Sequence, residues 1–269
     1  MADITAAMVK SFREKTGLPM MECKKALVEA DGDEEKAIEL LRKAGKKTME
    51  KRSGRETEAG RIAIYTAANG TTGMVELLCE SAPVANTAEF IQLIGDIAKQ
   101  LAEGPGATTP EELLAQNGLQ LKFDDLVNKI REVFRLTRIL RVEGKAGTYV
   151  HHNHGIGVVL EIEGDNKELA DNICMHVASM NPKALSKDDL SPETIAKERE
   201  IITEQTKNVN AGKPDNIIAK IVEGRMHSML AEICLLDQPY VMDSSKTVAQ
   251  AAKDGGIKLV KMNHWILGK

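Results

Sequence analysis

Ile62-Ala63-Ile64-Tyr65, a polar Asn69-Gly70-Thr71-Thr72-Gly73 turn and Met74-Val75-Glu76-Leu77-Leu78 precede Phe90, Leu93, Ile94, Ile97 and Leu101, which recur at spacings of three and four. Two extended runs about a Gly-bearing turn predict an antiparallel hairpin. The change to a helical period predicts a long amphipathic helix behind it. The same order recurs once: Thr148-Tyr149-Val150-His151, a turn from Asn153 to Gly155, Ile156-Gly157-Val158-Val159-Leu160-Glu161-Ile162, then Leu169, Ile173, Val177 and Met180 on a second helix. Antiparallel hairpins each backed by a helix, without sustained strand-helix-strand alternation, predict an α+β fold made by a weak internal duplication rather than a doubly wound sheet.

Toward the N-terminus, Ile4, Met8 and Phe12 share a helical stripe that Thr5 can cap. Gly17-Leu18-Pro19 then breaks the chain, with Pro19 suited to open a second helix striped by Met20, Cys23 and Leu27. Asp33 can cap a third helix, with Ala37, Leu40, Leu41 and Ala44 inward and Gly45 ending it. Residues 46–60 interleave Lys46, Lys47, Lys51, Arg52 and Arg55 with Glu50, Glu56 and Glu58, and read as a linker or a solvated helix extension. Beyond the first long helix, Gly104-Pro105-Gly106 is a stop, residues 110–116 and 124–134 read as lesser helices, and 137–142 as extended. Residues 192–207 and 216–230 form an αα-hairpin about a turn at 209–214, and the chain closes with a helix at 247–253 and a strand at 257–267. The expected domains are a three-helix module with its basic linker at 1–55, a core N-subdomain at 56–147, and a core C-subdomain at 148–269 that includes the helical hairpin near 192–230.

The 269 residues carry 36 Lys and Arg against 40 Asp and Glu, a formal charge of −4. That balance argues against nucleic acid or membrane as a direct partner through bulk charge. At 3% aromatic residues there is no platform for stacking bases, whereas 12 methionines suit adaptable apolar contacts. Cys23, Cys79, Cys174 and Cys234 form no C-x-x-C pair, which fits buried thiols in a reducing compartment. Met1-Ala2-Asp3-Ile4-Thr5 places an acid and a hydroxyl where a signal peptide needs basic and then apolar residues, and no run approaches the about 18 apolar residues of a membrane helix. A cytoplasmic location is expected.

Chemistry is sparse. His151-His152-Asn153-His154 can converge only two imidazoles on one face of an extended segment, so no metal site is assigned. His176 and His227 fall in helical patterns without an H-E-x-x-H, and read as surface or partly buried structural residues. There is no G-x-S-x-G elbow, and Cys79 reads as packed rather than nucleophilic. Gly144-Lys145 and Gly212-Lys213 lack the context of a phosphate loop, so no nucleotide or cofactor is expected on this chain. A non-enzyme with interaction surfaces remains. Met20-Met21 follows the Gly17-Leu18-Pro19 break, so at least one methionine can project from the module, although both can also pack inward.

Thr16-Gly17-Leu18-Pro19-Met20-Met21-Glu22-Cys23-Lys24-Lys25-Ala26-Leu27 closely resembles the N-terminal signature of the bacterial elongation factor Ts family, and Asp31-Gly32-Asp33 with Ala37 to Arg42 continues it. Tyr149-Val150-His151, Met175-His176-Val177-Ala178, Gly212-Lys213-Pro214, Ile221 to Met226 and Gln238 to Asp243 are similar to that family in the family's order. The resemblance implies a ubiquitin-associated-like N-terminal module before a duplicated α+β core. It implies a guanine-nucleotide exchange factor that binds elongation factor Tu in its GDP form and promotes release of Mg²⁺ and GDP. Where the family carries Thr-Asp-Phe-Val, with the Asp and Phe directed at the magnesium side of the partner, this chain has Ser81, Ala82, Pro83 and Val84. By the same resemblance Met20 and Met21 grip the GTPase domain and His151 acts near its phosphate loop. Loss of the Asp and Phe also permits a second reading, a non-exchanging or chaperone-like binder of the same GTPase.

Overall fold

The computed structural model describes residues 4–52, 54–210 and 212–269, with the side chains of 46–50 undescribed. The readings placed on Met1 to Asp3, on the side chains of Lys46, Lys47 and Glu50, and on Ala211 within the 209–214 turn therefore lie outside the described residues. The described chain is α+β and divides into two compact units: one runs to Val142 and takes back Ile266–Lys269, the other is Glu143–Trp265. Among the described residues no helix is long and apolar enough to cross a membrane.

The first unit opens with α1 (Ala6–Thr16), α2 (Met20–Glu29) and α3 (Glu34–Glu50). Thr5 caps α1 by accepting from the Met8 amide, and the Asp33 carboxylate accepts from the amides of Glu35 and Lys36. These helices close on their own small core of Val9, Phe12, Leu18, Cys23, Ala26, Leu27 and Ala37. Three stripe assignments shift, Ala44 of α3 being exposed rather than inward. Val9, three residues before Phe12, turns inward where Met8 was expected, since spacings of three and four both suit a 3.6-residue turn. Met20 overhangs the start of α2 instead of joining Cys23 and Leu27. Gly45 does not end α3, which runs on to Glu50. It lies against the later helix that carries Asn128, where an added Cβ would stand 1.7 Å from the Asn128 side-chain oxygen, so the glycine serves close approach rather than a cap.

Strands β1 (Ala59–Thr66) and β2 (Thr72–Cys79) form the expected hairpin. After the short α4 (Ala82–Ala85), α5 (Ala88–Glu103) buries Phe90, Leu93, Ile94, Ile97 and Leu101. Gly73 of β2 admits that helix: a Cβ there would meet the Ala98 carbonyl at 2.6 Å. Two more helices, α6 (Pro110–Leu114) and α7 (Leu119–Ile130), lead to β3 (Arg135–Val142) in the order β1-β2-β3. The helix expected at 124–134 starts earlier and stops earlier. Arg131 takes the left-handed conformation at φ 67° and ends it, which leaves Phe134 to pack edge-on against Phe90 at 5.1 Å.

Alternation along β2 sends Val75, Leu77 and Cys79 into the core with α5 and leaves Glu76, 2% exposed, on the other face. Its carboxylate receives Thr137 Oγ1, the Arg138 guanidinium and the backbone amide of Gly268. Neighbouring residues of a regular strand point to opposite faces. Here the β2–β3 register slips between Glu76 and Leu77, leaving Thr137 unpaired, and this bulge brings Thr137 and Arg138 to one carboxylate. Arg138 also donates to the Ile266 carbonyl at 2.9 Å, so the pair fixes the returning tail.

The second unit repeats the hairpin with β4 (Ala146–Val150) and β5 (Ile156–Glu163), backed by α8 (Lys167–Met180). Gly147 again gives close approach, since its Cβ would meet the Ala170 carbonyl carbon at 2.5 Å. Ala170, Ile173, Cys174 and Val177 face inward, while Met180, expected in the stripe, is exposed at the last residue of α8. The helices α9 (Pro192–Val209) and α10 (Asp215–Ile233) pair through Ile202, Ile218, Val222 and Met226. A small ladder absent from the sequence reading, β6 (Pro239–Tyr240) with β7 (Asp243–Thr247), precedes α11 (Val248–Asp254) and β8 (Lys258–Ile266). The sheet order is β4-β5-β8.

Breaking a buried ion pair by deleting one partner costs about 3–5 kcal/mol. Because Arg138 keeps some solvent, Glu76→Ala is expected to lower the unfolding free energy by about 3 kcal/mol in urea titration, and Glu76→Gln by less; a change below about 1 kcal/mol for Glu76→Ala would contradict the assignment.

Candidate functional site

The segment after β2 is tied from behind and bare in front. Cys79 ends the strand with its thiol donating to the Ser81 carbonyl at 3.3 Å, and burial pushes that thiol up to about 11, which keeps it protonated. Glu80 accepts from the Val133 amide at 2.8 Å and from Arg55 at 2.9 Å. The Val133 bond first, and Arg55 after it, hold the Glu80 carboxyl below its ordinary value against the opposing effect of burial. Ser81 donates to Glu132 twice, from its amide at 3.0 Å and from its hydroxyl at 2.6 Å. It stands at the N-cap of α4 yet does not cap that helix with its side chain.

The far side of the segment is held as firmly. Arg61 donates to the Ala85 carbonyl and to the Asn86 side chain, both at 2.6 Å, and Asn86 donates back to the Ala82 carbonyl at 2.8 Å. Thr87 donates to the Val84 carbonyl and accepts from the Phe90 amide, so it closes α4 and opens α5. Ala85 is buried and Val84 rests against the core, whereas Ala82 and Pro83 face solvent. Phe90 lies in the first turn of α5 and is fully buried, so it has no free ring to present.

Met20 and Met21 both project, at 42% and 62% exposure, so the inward alternative does not hold. Their helix is linked to the same turn that carries Glu132. Glu22 pairs with Arg131, Arg52 donates to the Arg131 carbonyl at 2.6 Å, and Arg42 of α3 makes a two-pronged pair with Asp125 at 2.8 Å. Neighbouring residues of one turn, Arg131 and Glu132, thus tie to α2 and to the 81–84 segment respectively. His151 belongs to the second unit. It follows β4, its amide closes the turn on Ile156 at 2.9 Å, and its Nδ1 lies 3.0 Å from Asn153. Among the described residues no three His, Cys, Asp or Glu side chains gather into a metal site.

His176 is not a surface residue. It is fully buried on α8, where its Nδ1 accepts from the Val241 amide at 3.1 Å. That bond fixes the neutral tautomer with the proton on Nε2, directed at Gln238 Oε1 at 2.9 Å. Gln238 passes the chain on to the Glu232 carbonyl at 2.6 Å. The histidine therefore organises the strand pair β6–β7 and leaves Val241 and Met242 exposed beyond it.

A family model described as Elongation factor TS matches residues 83–269. The protein named Elongation factor Ts from Hahella chejuensis is 41% identical over 271 residues, covering 100% of this chain and 93% of its own. Those from Pseudomonas aeruginosa PAO1, 40% identical over 274 residues with 100% and 92% covered, and from Alkalilimnicola ehrlichii, 38% identical over 276 residues with 99% and 92% covered, agree along the same length. The chain belongs to the elongation factor Ts family. Membership makes it a translation elongation factor, and its full-length likeness to these relatives takes in the N-terminal helices that the family model leaves out. What sequence reading missed is the support: Glu132, Arg61 and Asn86 carry no motif, and only the tertiary fold brings them to the segment.

Burial holds His176 below its ordinary value of 6.5, opposed by the bond to Gln238, and burial first, then Lys183, does the same for His264. The unfolded chain takes up these protons as pH falls below 6.5 and the folded chain resists, so stability is retained above pH 6.5 and lost progressively below it. The urea midpoint should drop between pH 7.5 and 5.5, and His176→Gln, which keeps polar groups but cannot titrate, should flatten that drop. An unchanged pH slope in the variant would remove His176 from the account.

Proposed function

We propose that this chain is a guanine-nucleotide exchange factor that acts in the cytoplasm on elongation factor Tu, binding its GDP form and promoting release of Mg²⁺ and GDP. The observation that carries the reading is the match to an Elongation factor Ts over all of the chain at 41% identity. The exposed Ala82-Pro83 edge, anchored by Glu132 and Arg61, supports it as the surface that presses on the magnesium side of the partner. The physical basis is linkage. A factor that binds the empty GTPase more tightly than the loaded one weakens nucleotide binding by the same factor. Removing Mg²⁺ contributes because the ion neutralises the phosphates. No bond is made or broken, and neither a cofactor nor a nucleotide of its own is required.

Under this reading residues 1–55 form a docking module whose Met20 and Met21 are adaptable apolar anchors, and 56–147 and 148–269 are the two halves of the core, with His151 contributing from the second. Methionine suits such anchors because it is unbranched and polarisable. One observation favours the alternative, a binder without exchange: Ala82 and Pro83 stand where the family carries a carboxylate and a ring, and buried Phe90 cannot replace that ring. Exchange here would act through the shape of a stiff segment rather than a charge and an aromatic wedge.

The decisive measurement is release of labelled GDP from elongation factor Tu over a range of Mg²⁺ concentrations. The native chain is expected to accelerate it. No acceleration by the native chain together with a large one by the Ala82→Asp, Pro83→Phe variant would establish the binder instead. Independently, Met20→Glu with Met21→Glu should raise the half-saturating concentration of the factor by about tenfold or more, equivalent to about 1.4 kcal/mol, with an unchanged melting temperature. Full retention of affinity would strike both methionines from the interface.

A further inference from the structure

We infer that Glu132, which has no counterpart in any motif of this chain, is the positioning residue for the 81–84 segment. The inference rests on the exchange reading. Along the β2–β3 ladder Leu78 pairs with Arg135, so beyond the strand ends Glu80 comes opposite Val133 and Ser81 opposite Glu132. Backbone ladder bonds stop there and side chains take their place. Glu80 receives the Val133 amide, and Glu132 receives the amide and hydroxyl of Ser81. A carboxylate that takes two donors from one residue fixes both its backbone direction and its side-chain rotamer. Ser81 is the residue from which exposed Ala82 and Pro83 spring, so Glu132 sets the direction of the edge without touching the partner.

This arrangement answers what a chain without the acidic and aromatic side chains needs. A segment acting by shape must not yield when it meets resistance, and ordering it only on binding would consume part of the interaction energy. Pro83 restricts the backbone within the segment, and Arg61 and Asn86 hold its far end. Glu132 holds the near end. Released there, the segment still reaches the partner but is pushed aside, so the loss should fall on the maximal rate of nucleotide release and not on affinity.

The test uses the full-length chain and measures labelled GDP release from elongation factor Tu at increasing factor concentration, alongside amide hydrogen exchange at Ser81 in the free protein. Glu132→Ala should lower the saturating release rate about tenfold, shift the half-saturating concentration by less than about twofold, and speed exchange of the Ser81 amide. Glu132→Gln should restore most of the rate, since an amide oxygen can accept from the Ser81 amide while its NH₂ donates to the hydroxyl. Should Glu132→Ala fold poorly, Ser81→Ala carries the same test: it should show a smaller rate loss, and combining it with Glu132→Gln should cost less than the sum of the two separate losses, whereas full additivity would overturn the coupling. A Glu132→Ala protein that matches the native saturating rate overturns the inference, as does one whose defect lies wholly in half-saturation. If the native chain gives no acceleration the exchange reading fails, and an unchanged Ser81 amide in Glu132→Ala then overturns the positioning role by itself.

Discussion

A carboxylate at 2% exposure in the middle of a strand is tolerable only if donors surround it, and Glu76 gathers them from two remote parts of the chain. Thr137 and Arg138 reach it together because the strand opposite bulges, and Gly268 reaches it because the last residues return to this unit. The consequences travel along β3. The slip at Glu76 moves every later pair by one residue, and with it the residue that meets the end of β2. Without the bulge Glu132 would fall opposite Ala82, which has no side-chain donor; with it, Glu132 meets Ser81, which has one. A buried charge at the centre of the sheet thereby sets the geometry of the exposed edge.

The two hairpin-helix units solve one packing problem by the same means at different places. Where a helix backbone comes this close to a strand, one strand position must lack a side chain, and Gly73 of β2 and Gly147 of β4 supply it beneath α5 and α8. What differs is what each unit does with its polar interior. The first uses a charge pair that fixes register, the second a neutral histidine that holds the short ladder before α11. A neutral imidazole can be buried at lower cost than a carboxylate, but only while the solution does not offer it a proton.

Both hairpins and their helices were legible because their information is local: alternation of period two, then apolar recurrence at three and four, separated by turns rich in glycine and asparagine. Caps at Thr5 and Asp33 were legible for the same reason. Gly45 misled because a glycine after an apolar stripe is a common helix end, and nothing local reveals that Asn128 will lie against it. Arg131 hid the end of α7 because a non-glycine residue in the left-handed region leaves no compositional mark. The candidate site divides in the same way. The residues proposed to meet the partner, Ser81 to Val84 and Met20-Met21, came from resemblance, while Glu132 and Arg61 act across more than twenty residues of sequence and are visible only once the strands are in register.

On the exchange reading, the same division explains how an edge built of alanine and proline would serve where the resemblance implies a charge and an aromatic ring. Linkage requires only that the factor favour the empty partner over the loaded one. A carboxylate and a ring achieve that by attractive contacts formed in one state. A stiff edge achieves it by a clash present in the other, and specificity by exclusion is as valid thermodynamically as specificity by attraction. The two differ in what supports them. Attraction tolerates a mobile side chain, because the contact itself selects the conformation, whereas exclusion fails as soon as the edge can move out of the way. On the exchange reading, the ties from Glu132, Arg61 and Asn86 are therefore the counterpart of the missing side chains: the chemistry has moved from the tip of the segment to the residues behind it.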